Sequence, residues 1–285
     1  MAKILDGKEL ASKIREDIRV ATKELIEEFN KIPHLAVVLV GDNPASKYYV
    51  SSKEKACIKA GIKSTVIKRT EDISENELID IINELNNDDS VHGILLQLPI
   101  PKHINEDRVI NLIDPRKDVD GFCNENIAKL NKGQESMVPC TPLGITRILD
   151  EYDIDAFGKH CVIIGRSQIV GKPMAALMLK RNATVTICHS KTQDIKSISK
   201  QADILIVAIG RANMVDSSYI KPGAVVIDVG INRVDDTLRG DVDYEDAKKI
   251  AGYITPVPGG VGPMTITCLL ENTLICYRNI EGGKR

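Results

Sequence analysis

Short apolar runs alternate with amphipathic stretches along the first third of the chain. The continuously apolar run Leu35–Val40 is closed by Gly41-Asp-Asn-Pro44. This pattern predicts a buried parallel strand, followed by a helix with the proline in its first turn. The helix is predicted to run from about Ala45 to Ala60 and to end at Gly61. The chain therefore begins to build βα units here.

The same alternation continues on both sides of this unit. Ser64–Lys68 and Val91–Leu98 are predicted strands, and Ser74-Glu-Asn-Glu77 between them has the spacing of a capping box that opens a helix. Ahead of them, Leu5–Phe29 has the apolar spacing of an amphipathic helix. The first third therefore predicts a parallel sheet covered by helices.

The pattern weakens from Ile100 to Pro142, where Pro, Asn, Asp and Gly are frequent, and we expect loops and a crossover between two lobes there. Strand and helix patterns then resume. The predicted helices are Leu143–Tyr152, Lys172–Arg181, Ile195–Gln201 and a final helix from Pro263 to about Ile280. The predicted strands are His160–Ile164, Thr184–His189, Asp203–Ile209 and Ala224–Val229.

We expect an α/β protein of two lobes with a cleft between them, the second lobe a Rossmann-like doubly wound parallel sheet. A length of 285 residues fits two domains. Residues 1–140 and 265–285 are assigned to the first domain and residues 141–264 to the second, because the last helix is expected to return to the first lobe.

Composition narrows the class of function. Apolar residues make up 43% of the chain and charged residues 27%, which excludes a disordered or fibrous protein. The net charge of −2 gives no overall basic field for nucleic acid. Apolar runs such as Leu35–Val40 and Ile204–Ile209 are far shorter than the roughly 18 residues of a membrane span. The charged N-terminal stretch does not resemble a signal peptide. We expect small-molecule partners.

Cysteine and histidine spacing gives no sign of a metal. The seven cysteines are scattered without a Cys-x-x-Cys pair, which argues against a zinc site and favours a reduced, cytoplasmic compartment. We expect the cysteines to act as small apolar side chains outside the chemistry. The five histidines lack ligand spacing, so no metal is expected, and His92 and His160 at strand starts are predicted to be structural.

The segment His160–Pro173 has the order of a strand, a tight turn and a helix entry, which can direct backbone N–H groups at a phosphate. Its glycines stand as G-x-S-x-x-x-G rather than G-x-G-x-x-G, so a plain connecting turn is the alternative. The next strand ends without the acidic residue that usually binds the ribose of NAD. Ser190, Lys191 and Arg166 suit a 2′-phosphate, which favours NADP.

Polar side chains in the first lobe are candidates for the chemistry. Ser46, Tyr49 and Lys53 lie on one helical stripe, although a solvated face has the same pattern. Gln97 stands at the carboxyl end of a predicted strand, where ligands of open α/β sheets bind. An amide in so apolar a run needs a hydrogen-bond partner, for which a lysine or a loop backbone would serve.

Two loops have sequences that indicate unusual backbone conformations. Lys117-Asp-Val-Asp120-Gly-Phe122 is one, and Tyr253–Thr265 is the other. In the second loop Gly259, Gly260 and Gly262 permit positive φ and close approach to a ligand, although each loop could be an ordinary turn.

Six motifs occur together and in order. They are Tyr49-x3-Lys53, Val91-His-Gly-Ile-x-x-Gln-Leu-Pro99, Lys117-Asp-Val-Asp-Gly121, Pro139-Cys-Thr-Pro142, Gly165-Arg-Ser-x-Ile-Val-Gly-x-Pro173 and Thr255-Pro-Val-Pro-Gly-Gly-Val-Gly-Pro-Met-Thr265. In these motifs the chain resembles the bifunctional methylenetetrahydrofolate dehydrogenase/methenyltetrahydrofolate cyclohydrolase family, over essentially its whole length.

The resemblance implies two reactions of one-carbon metabolism. It implies oxidation of 5,10-methylenetetrahydrofolate to the methenyl cation with NADP+, and then hydrolysis to 10-formyltetrahydrofolate. The first domain would bind folate and the second NADP. The resemblance also implies a homodimer, formed through the nucleotide-binding domain.

By the same resemblance, Lys53 is the acid/base residue, Gln97 orients it, Tyr49 packs against the folate and Asp120 binds the pterin edge. Lys53 either exchanges protons with water or stays cationic and polarises the folate. The residues implied for NADP are Gly165, Arg166, Ser167, Ser190 and Ile231, and those implied along the folate are Pro258, Gly259, Gly260 and Gly262.

Three rival functions remain at this point. A two-lobed NADP dehydrogenase of another small molecule, such as the shikimate dehydrogenase type, would share the architecture but would not need the Pro256–Pro263 loop. A dehydrogenase without cyclohydrolase activity would not need Tyr49, Lys53 and Gln97 together. A nucleotide-sensing protein without catalysis would need only the turn at Gly165–Gly171.

Overall fold

A computed structural model describes residues 2–284, which divide into two units. The six-stranded unit comprises the N-terminal segment through Ser12, Leu130–Gln134 and Thr141–Thr265. The three-stranded unit comprises Lys13–Lys129, Glu135–Cys140 and the described residues from Ile266 onwards. This division differs from the expected boundaries at the N-terminus and at Leu130–Gln134, both of which were assigned to the first domain. The first residues belong with the six-stranded unit because Lys3–Ile4 adds a strand to its sheet.

The three-stranded unit contains a parallel sheet in the order β3-β2-β4. Its strands are β2 (His34–Val40), β3 (Lys63–Arg69) and β4 (Gly93–Gln97). The helices assigned to it wholly or in part are α1 (Gly7–Phe29), α2 (Pro44–Ala60), α3 (Glu75–Asn87), α4 (Glu106–Ile110), α5 (Asn124–Asn131) and α10 (Val261–Gly282). Every side chain of β2 is buried, as a central parallel strand requires.

Local capping explains where the predicted helices begin and end. The side chain of Asn43 accepts the N–H of Ala45 and Ser46 at the start of α2, and Gly61 ends that helix at φ 79°. The predicted capping box is confirmed, because Ser74 and Glu77 bond each other's backbone N–H groups at the start of α3. These caps place Lys53 within α2.

The six-stranded unit contains a parallel sheet in the order β1-β11-β8-β7-β5-β6. Its strands are β1 (Lys3–Ile4), β5 (His160–Ile164), β6 (Thr184–Cys188), β7 (Ile204–Val207), β8 (Val225–Asp228) and β11 (Tyr253–Ile254). Four further helices are α6 (Cys140–Glu151), α7 (Gly171–Lys180), α8 (Ile195–Ser199) and α9 (Tyr244–Ala247). The predicted α/β class with a parallel Rossmann-like sheet is confirmed.

Several elements were not expected from the pattern. The stretch from Ile100 to Pro142, predicted as loops, contains α4, α5 and the start of α6. An antiparallel hairpin of β9 (Asn232–Val234) and β10 (Thr237–Arg239) follows β8. The two-residue strands β1 and β11 are too short to show a period, which explains why the sequence pattern does not reveal them.

All seven cysteines are buried and free.

Among residues 2–284, no helix is both long and apolar enough to cross a bilayer.

A buried charge cluster fixes the end of α10 in the three-stranded unit. Glu281, only 5% exposed, accepts hydrogen bonds from Lys31 at 2.6 Å and Lys284 at 2.9 Å, and it lies 3.4 Å from His92 Nε2. The other ring nitrogen of His92 accepts the N–H of His34. Burial lowers the pKa of His92 to about 4, although Glu281 opposes the shift. Burial would raise the pKa of Glu281, but the two lysines bring it to about 2.

These shifts predict a loss of stability in acid. Between pH 6.5 and 4, His92 is protonated in the unfolded chain but remains largely neutral in the folded chain. The free energy of unfolding should therefore decrease as the pH is lowered through that range. One such proton corresponds to at most about 1.4 kcal/mol per pH unit. Below pH 4.5 protonation of Glu281 adds a further loss. Urea unfolding at several pH values measures both.

A variant isolates the contribution of His92. In His92→Asn the amide oxygen can still accept the N–H of His34, and the slope between pH 6.5 and 4 should become flatter. His103→Asn, at an exposed histidine, is the control and should keep the wild-type slope. Equal slopes in the two variants would contradict the assignment.

Candidate active site

A lysine and an amide meet at the carboxyl end of β4. Lys53 Nζ of α2 donates to Gln97 Oε1 at 2.9 Å. Gln97 Nε2 donates to the carbonyl of Leu98 at 2.8 Å, which fixes the amide so that its oxygen faces the lysine. Gln97 therefore has both of the partners suggested for it, a lysine at its amide oxygen and the loop backbone at its amide nitrogen. The ammonium of Lys53 keeps further hydrogen-bonding capacity for a ligand.

The stripe that includes Lys53 is partly buried and is not a solvated face. Ser46 is only 3% exposed, while Tyr49 and Lys53 are half-buried. The ring of Tyr49 meets that of Tyr48 edge to face, with centroids 5.9 Å apart. Burial raises the pKa of Tyr49, and Tyr48 adds to the shift, so the phenol stays neutral. Tyr49 therefore offers an apolar ring with a hydroxyl group beside Lys53 on α2.

The loop that carries Asp120 is held by buried polar contacts. Lys117, 5% exposed, donates to the carbonyls of Leu85, Asn86 and Asp88 at 2.8–3.0 Å, and so satisfies the end of α3. Asp118 accepts the N–H of Cys123 and the side-chain N–H of Asn126. These contacts hold the backbone that leads to Asp120, two residues after Asp118.

Cys140 contacts Asp120 itself, and Asn272 holds the backbone beside it. Cys140 Sγ lies 3.5 Å from Asp120 Oδ1 and 3.5 Å from the carbonyl of Val119. Asn272 of α10 donates to the carbonyls of Val119 and Val138. Burial raises the pKa of the Cys140 thiol well above its usual range, so the thiol remains a donor. Cys140 therefore contacts a candidate site residue, although we expected the cysteines to lie outside the chemistry.

The carboxyl group of Asp120 is electrostatically coupled to Lys53. Burial raises the pKa of Asp120, and the positive charge of Lys53 and the thiol of Cys140 oppose that shift. Lys53, Gln97, Tyr49 and Asp120 thus belong to one part of the three-stranded unit. The sequence pattern missed Cys140 and Asn272, although the Pro139-Cys-Thr-Pro motif contained the former.

The predicted phosphate turn lies between β5 and α7 in the six-stranded unit. Gly165 has φ 135°, and a Cβ there would lie 2.2 Å from the carbonyl oxygen of Ala208. A Cβ on Gly171 would lie 2.3 Å from the carbonyl oxygen of Gly165, so both ends of the turn require glycine. The hydroxyl of Ser167 accepts the N–H of Val170 at 3.2 Å and of Gly171 at 3.4 Å, and so closes the turn before α7.

Cationic and hydroxyl side chains lie exposed around this turn. Arg166 and Ser167 are exposed on the turn itself, and Ser190 and Lys191 are exposed after β6. The N–H of Gly165 donates to the carbonyl of Cys188, two residues before Ser190, so the ends of β5 and β6 are adjacent. An anion at the start of α7 would be favoured by the helix dipole and by these side chains.

The glycine-rich loop after β11 is also packed against defined neighbours. Gly259 has φ 111°, and Val257–Pro258 is a cis peptide. A Cβ on Gly260 would lie 2.6 Å from the carbonyl oxygen of Pro256, and one on Gly262 would lie 3.4 Å from Ile231 Cδ1. The exposed side chain of Ile231 therefore lies against the Pro256–Gly262 loop, and both border the carboxyl end of the six-stranded sheet.

A nicotinamide dinucleotide phosphate fits this set of residues. Gly165 and Gly171 leave the turn without side chains, and Arg166, Ser190 and Lys191 are exposed donors of the kind that bind a phosphate monoester. Among residues 2–284 there is no group of three His, Cys, Asp or Glu side chains arranged to hold a metal ion.

Comparison with known proteins decides the family. Residues 5–120 match the domain described as tetrahydrofolate dehydrogenase/cyclohydrolase, catalytic domain, and residues 139–281 match the NAD(P)-binding domain of the same name. The chain belongs to the tetrahydrofolate dehydrogenase/cyclohydrolase family. This membership removes the rival of a dehydrogenase from another family.

Relatives in this family match over the whole chain. A bifunctional protein FolD of Oceanobacillus iheyensis is 55% identical over 286 residues, with 100% of both chains covered. The crystal structure of the bifunctional FolD of Campylobacter jejuni is 51% identical, with a TM-score of 0.96 over 98% of this chain and 99% of that one. The Trypanosoma brucei enzyme, complexed with NADP and an inhibitor, is 34% identical, with a TM-score of 0.94 over 98% of each chain.

Proposed function

We propose that this chain oxidises 5,10-methylenetetrahydrofolate with NADP+ and then hydrolyses the methenyl product to 10-formyltetrahydrofolate. The observation that carries this proposal is the hydrogen bond from Lys53 to Gln97, set beside Asp120 in the domain that matches the family's catalytic domain. The membership of both domains in the family supports the two reactions together.

The six-stranded unit holds the dinucleotide. Gly165, Arg166 and Ser167 would hold the phosphates at the start of α7, and Ser190 with its neighbour Lys191 would bind the 2′-phosphate. Ile231, whose side chain is exposed beside Gly262, would contact another part of the dinucleotide. NADP+, when bound, accepts the hydride that leaves the methylene bridge of the folate. The chain supplies orientation and a local cationic field for this step rather than proton transfer.

The three-stranded unit supplies proton transfer for hydrolysis. Water adds to the methenyl carbon and loses one proton, which leaves a hydroxyl group on that carbon. The hydroxyl group then loses its proton as the formyl C=O forms, and the carbon–nitrogen bond to N5 breaks as N5 takes up a proton. Lys53 is the group that exchanges these protons, and Gln97 holds its Nζ in place through the 2.9 Å bond. Net release of one proton balances the reaction.

The folate itself is positioned by the remaining site residues. The carboxyl group of Asp120 binds the N–H donors of the pterin edge, since a carboxylate can accept two of them. The half-buried ring of Tyr49 packs against the folate. The loop of Pro258, Gly259, Gly260 and Gly262 lies along the substrate, where side-chain-free backbone allows close approach.

Absorbance at 340 nm tests the first reaction. Purified protein with methylenetetrahydrofolate should reduce NADP+ faster than NAD+. Arg166, Ser190 and Lys191 suit the 2′-phosphate of NADP+, and the acidic residue that usually binds the ribose 2′-hydroxyl of NAD+ is absent at the end of β6. Loss of the methenyl chromophore, measured without nucleotide and corrected for the rate in buffer, tests the second. Reduction without hydrolysis would leave only a dehydrogenase. If neither NADP+ nor NAD+ is reduced, the proposed enzymatic activity is refuted.

A cytoplasmic homodimer is also proposed. Leu179 at the end of α7 and Ile187 on the edge strand β6 are 59% and 36% exposed, which favours docking of a second copy at this edge. Light scattering on the purified chain should give twice the 31.3 kDa of one copy. A mass of one copy at micromolar concentration would refute the dimer.

A further inference from the structure

A fully buried carboxylate organises the loops at the carboxyl end of the six-stranded sheet. Asp241 is 0% exposed. Its Oδ2 accepts the backbone N–H of Ile209 at 2.7 Å and of Gly210 at 2.9 Å. Its Oδ1 accepts the N–H of Arg211 at 2.8 Å and the side-chain N–H of Asn232 at 2.9 Å. A carboxylate offers about four lone-pair sites, so all of them are used.

A second buried carboxylate fixes the backbone of Asp241. Asp228 ends β8, and its side chain accepts the N–H groups of Gly230, Asp241 and Val242 at 2.9–3.0 Å. The N–H of Asp228 donates to the hydroxyl of Thr255, which begins the glycine-rich loop. The two acids therefore form one connected network of hydrogen bonds rather than two separate contacts, and burial raises the pKa of Asp228 to about 7 within it.

The segments held by Asp241 border the dinucleotide turn directly. Ile209 and Gly210, which donate to its Oδ2, directly follow Ala208. The carbonyl oxygen of Ala208 lies 2.2 Å from where a Cβ on Gly165 would stand, so the two segments are in contact. Asn232 follows Ile231, which is assigned to NADP binding. A shift of either segment would therefore alter the walls of the proposed NADP site.

We propose that Asp241 is a positioning residue for NADP binding: its carboxylate holds the loop after β7 and the Ile231–Asn232 segment in the geometry that the dinucleotide requires. This inference rests on the proposed function. A carboxylate is specifically needed, because all four of its partners are N–H donors. An amide would direct its own N–H groups at two of them and leave those two without an acceptor.

The test compares two carboxylate-to-amide substitutions that remove the same charge. Asp241→Asn should raise the Kd of NADPH, followed by its fluorescence, and the KM of NADP+ at least tenfold. Hydrolysis of methenyltetrahydrofolate without nucleotide should retain at least half its rate, because Lys53 and Gln97, which handle the protons of that step, belong to the three-stranded unit. Asp243→Asn is the matched control, because that side chain caps α9. Its NADPH Kd should stay within twofold of wild type.

The outcomes separate this inference from the proposed function. NADPH binding by Asp241→Asn as tight as by Asp243→Asn would overturn the inference. If circular dichroism shows that Asp241→Asn does not fold, Asn232→Ala decides, because it removes one donor at a partly exposed position. It should raise the NADPH Kd at least threefold, and an unchanged Kd would overturn the inference. Wild-type protein that reduces no nicotinamide would overturn the proposed function itself.

Discussion

Lys53→Met is expected to lower the rate of methenyltetrahydrofolate hydrolysis by about 10²–10⁴-fold, which is the usual contribution of one acid/base group. The variant keeps most of the length of the side chain but can neither accept nor donate the protons of the attacking water and of N5. It also leaves Gln97 Oε1 without the donor now 2.9 Å away. Hydrolysis, followed as loss of the methenyl chromophore, measures the effect.

The dehydrogenase rate should fall less, because hydride transfer needs orientation more than proton transfer. The ratio of the two rates is therefore the informative quantity, since misfolding would lower both together. Lys55→Met is the control. It removes a lysine two residues along α2 whose side chain is exposed, and both activities should stay at wild-type levels. Hydrolysis that survives in Lys53→Met at the control rate would show that another group exchanges the protons.

The long periodic elements of the fold could be predicted because their residues carry the signal locally. β5 runs from His160 to Ile164 as expected, and α2 ends at Ala60 before Gly61 as expected. The two-residue strands β1 and β11 could not be predicted. Their pairing joins residues about 250 positions apart, and only the finished sheet supplies the partner.

The candidate site divides in the same way. The hydrogen bond between Lys53 and Gln97 follows from a simple requirement, because an amide at the end of an apolar strand needs a partner. The roles of these residues stay proposals. The contacts of Cys140 with Asp120 and of Asp241 with three backbone N–H groups have no sequence spacing that reveals them. Such contacts arise where loops from distant parts of the chain converge.

Gly165→Ala is expected to weaken NADPH binding at least a hundredfold and to abolish measurable reduction of NADP+ at micromolar nucleotide. The added methyl would lie 2.2 Å from the backbone oxygen of Ala208, at a φ of 135° that side chains rarely adopt. Backbone cannot move aside as a flexible side chain can, so the turn or the loop after β7 must shift. Fluorescence titration and the 340 nm assay measure the loss.

A second glycine separates the effect of this contact from the strain of positive φ. Gly158 has φ 69° and nothing within 4 Å of an added Cβ, so Gly158→Ala introduces strain alone. That strain costs about 1–3 kcal/mol of stability. We therefore expect Gly158→Ala to unfold at lower urea yet to bind NADPH as wild type does. Hydrolysis should persist in both variants, because Lys53 and Gln97 belong to the three-stranded unit. Tight NADPH binding by Gly165→Ala would show that the pyrophosphate does not approach this turn, and the dinucleotide site would have to lie elsewhere.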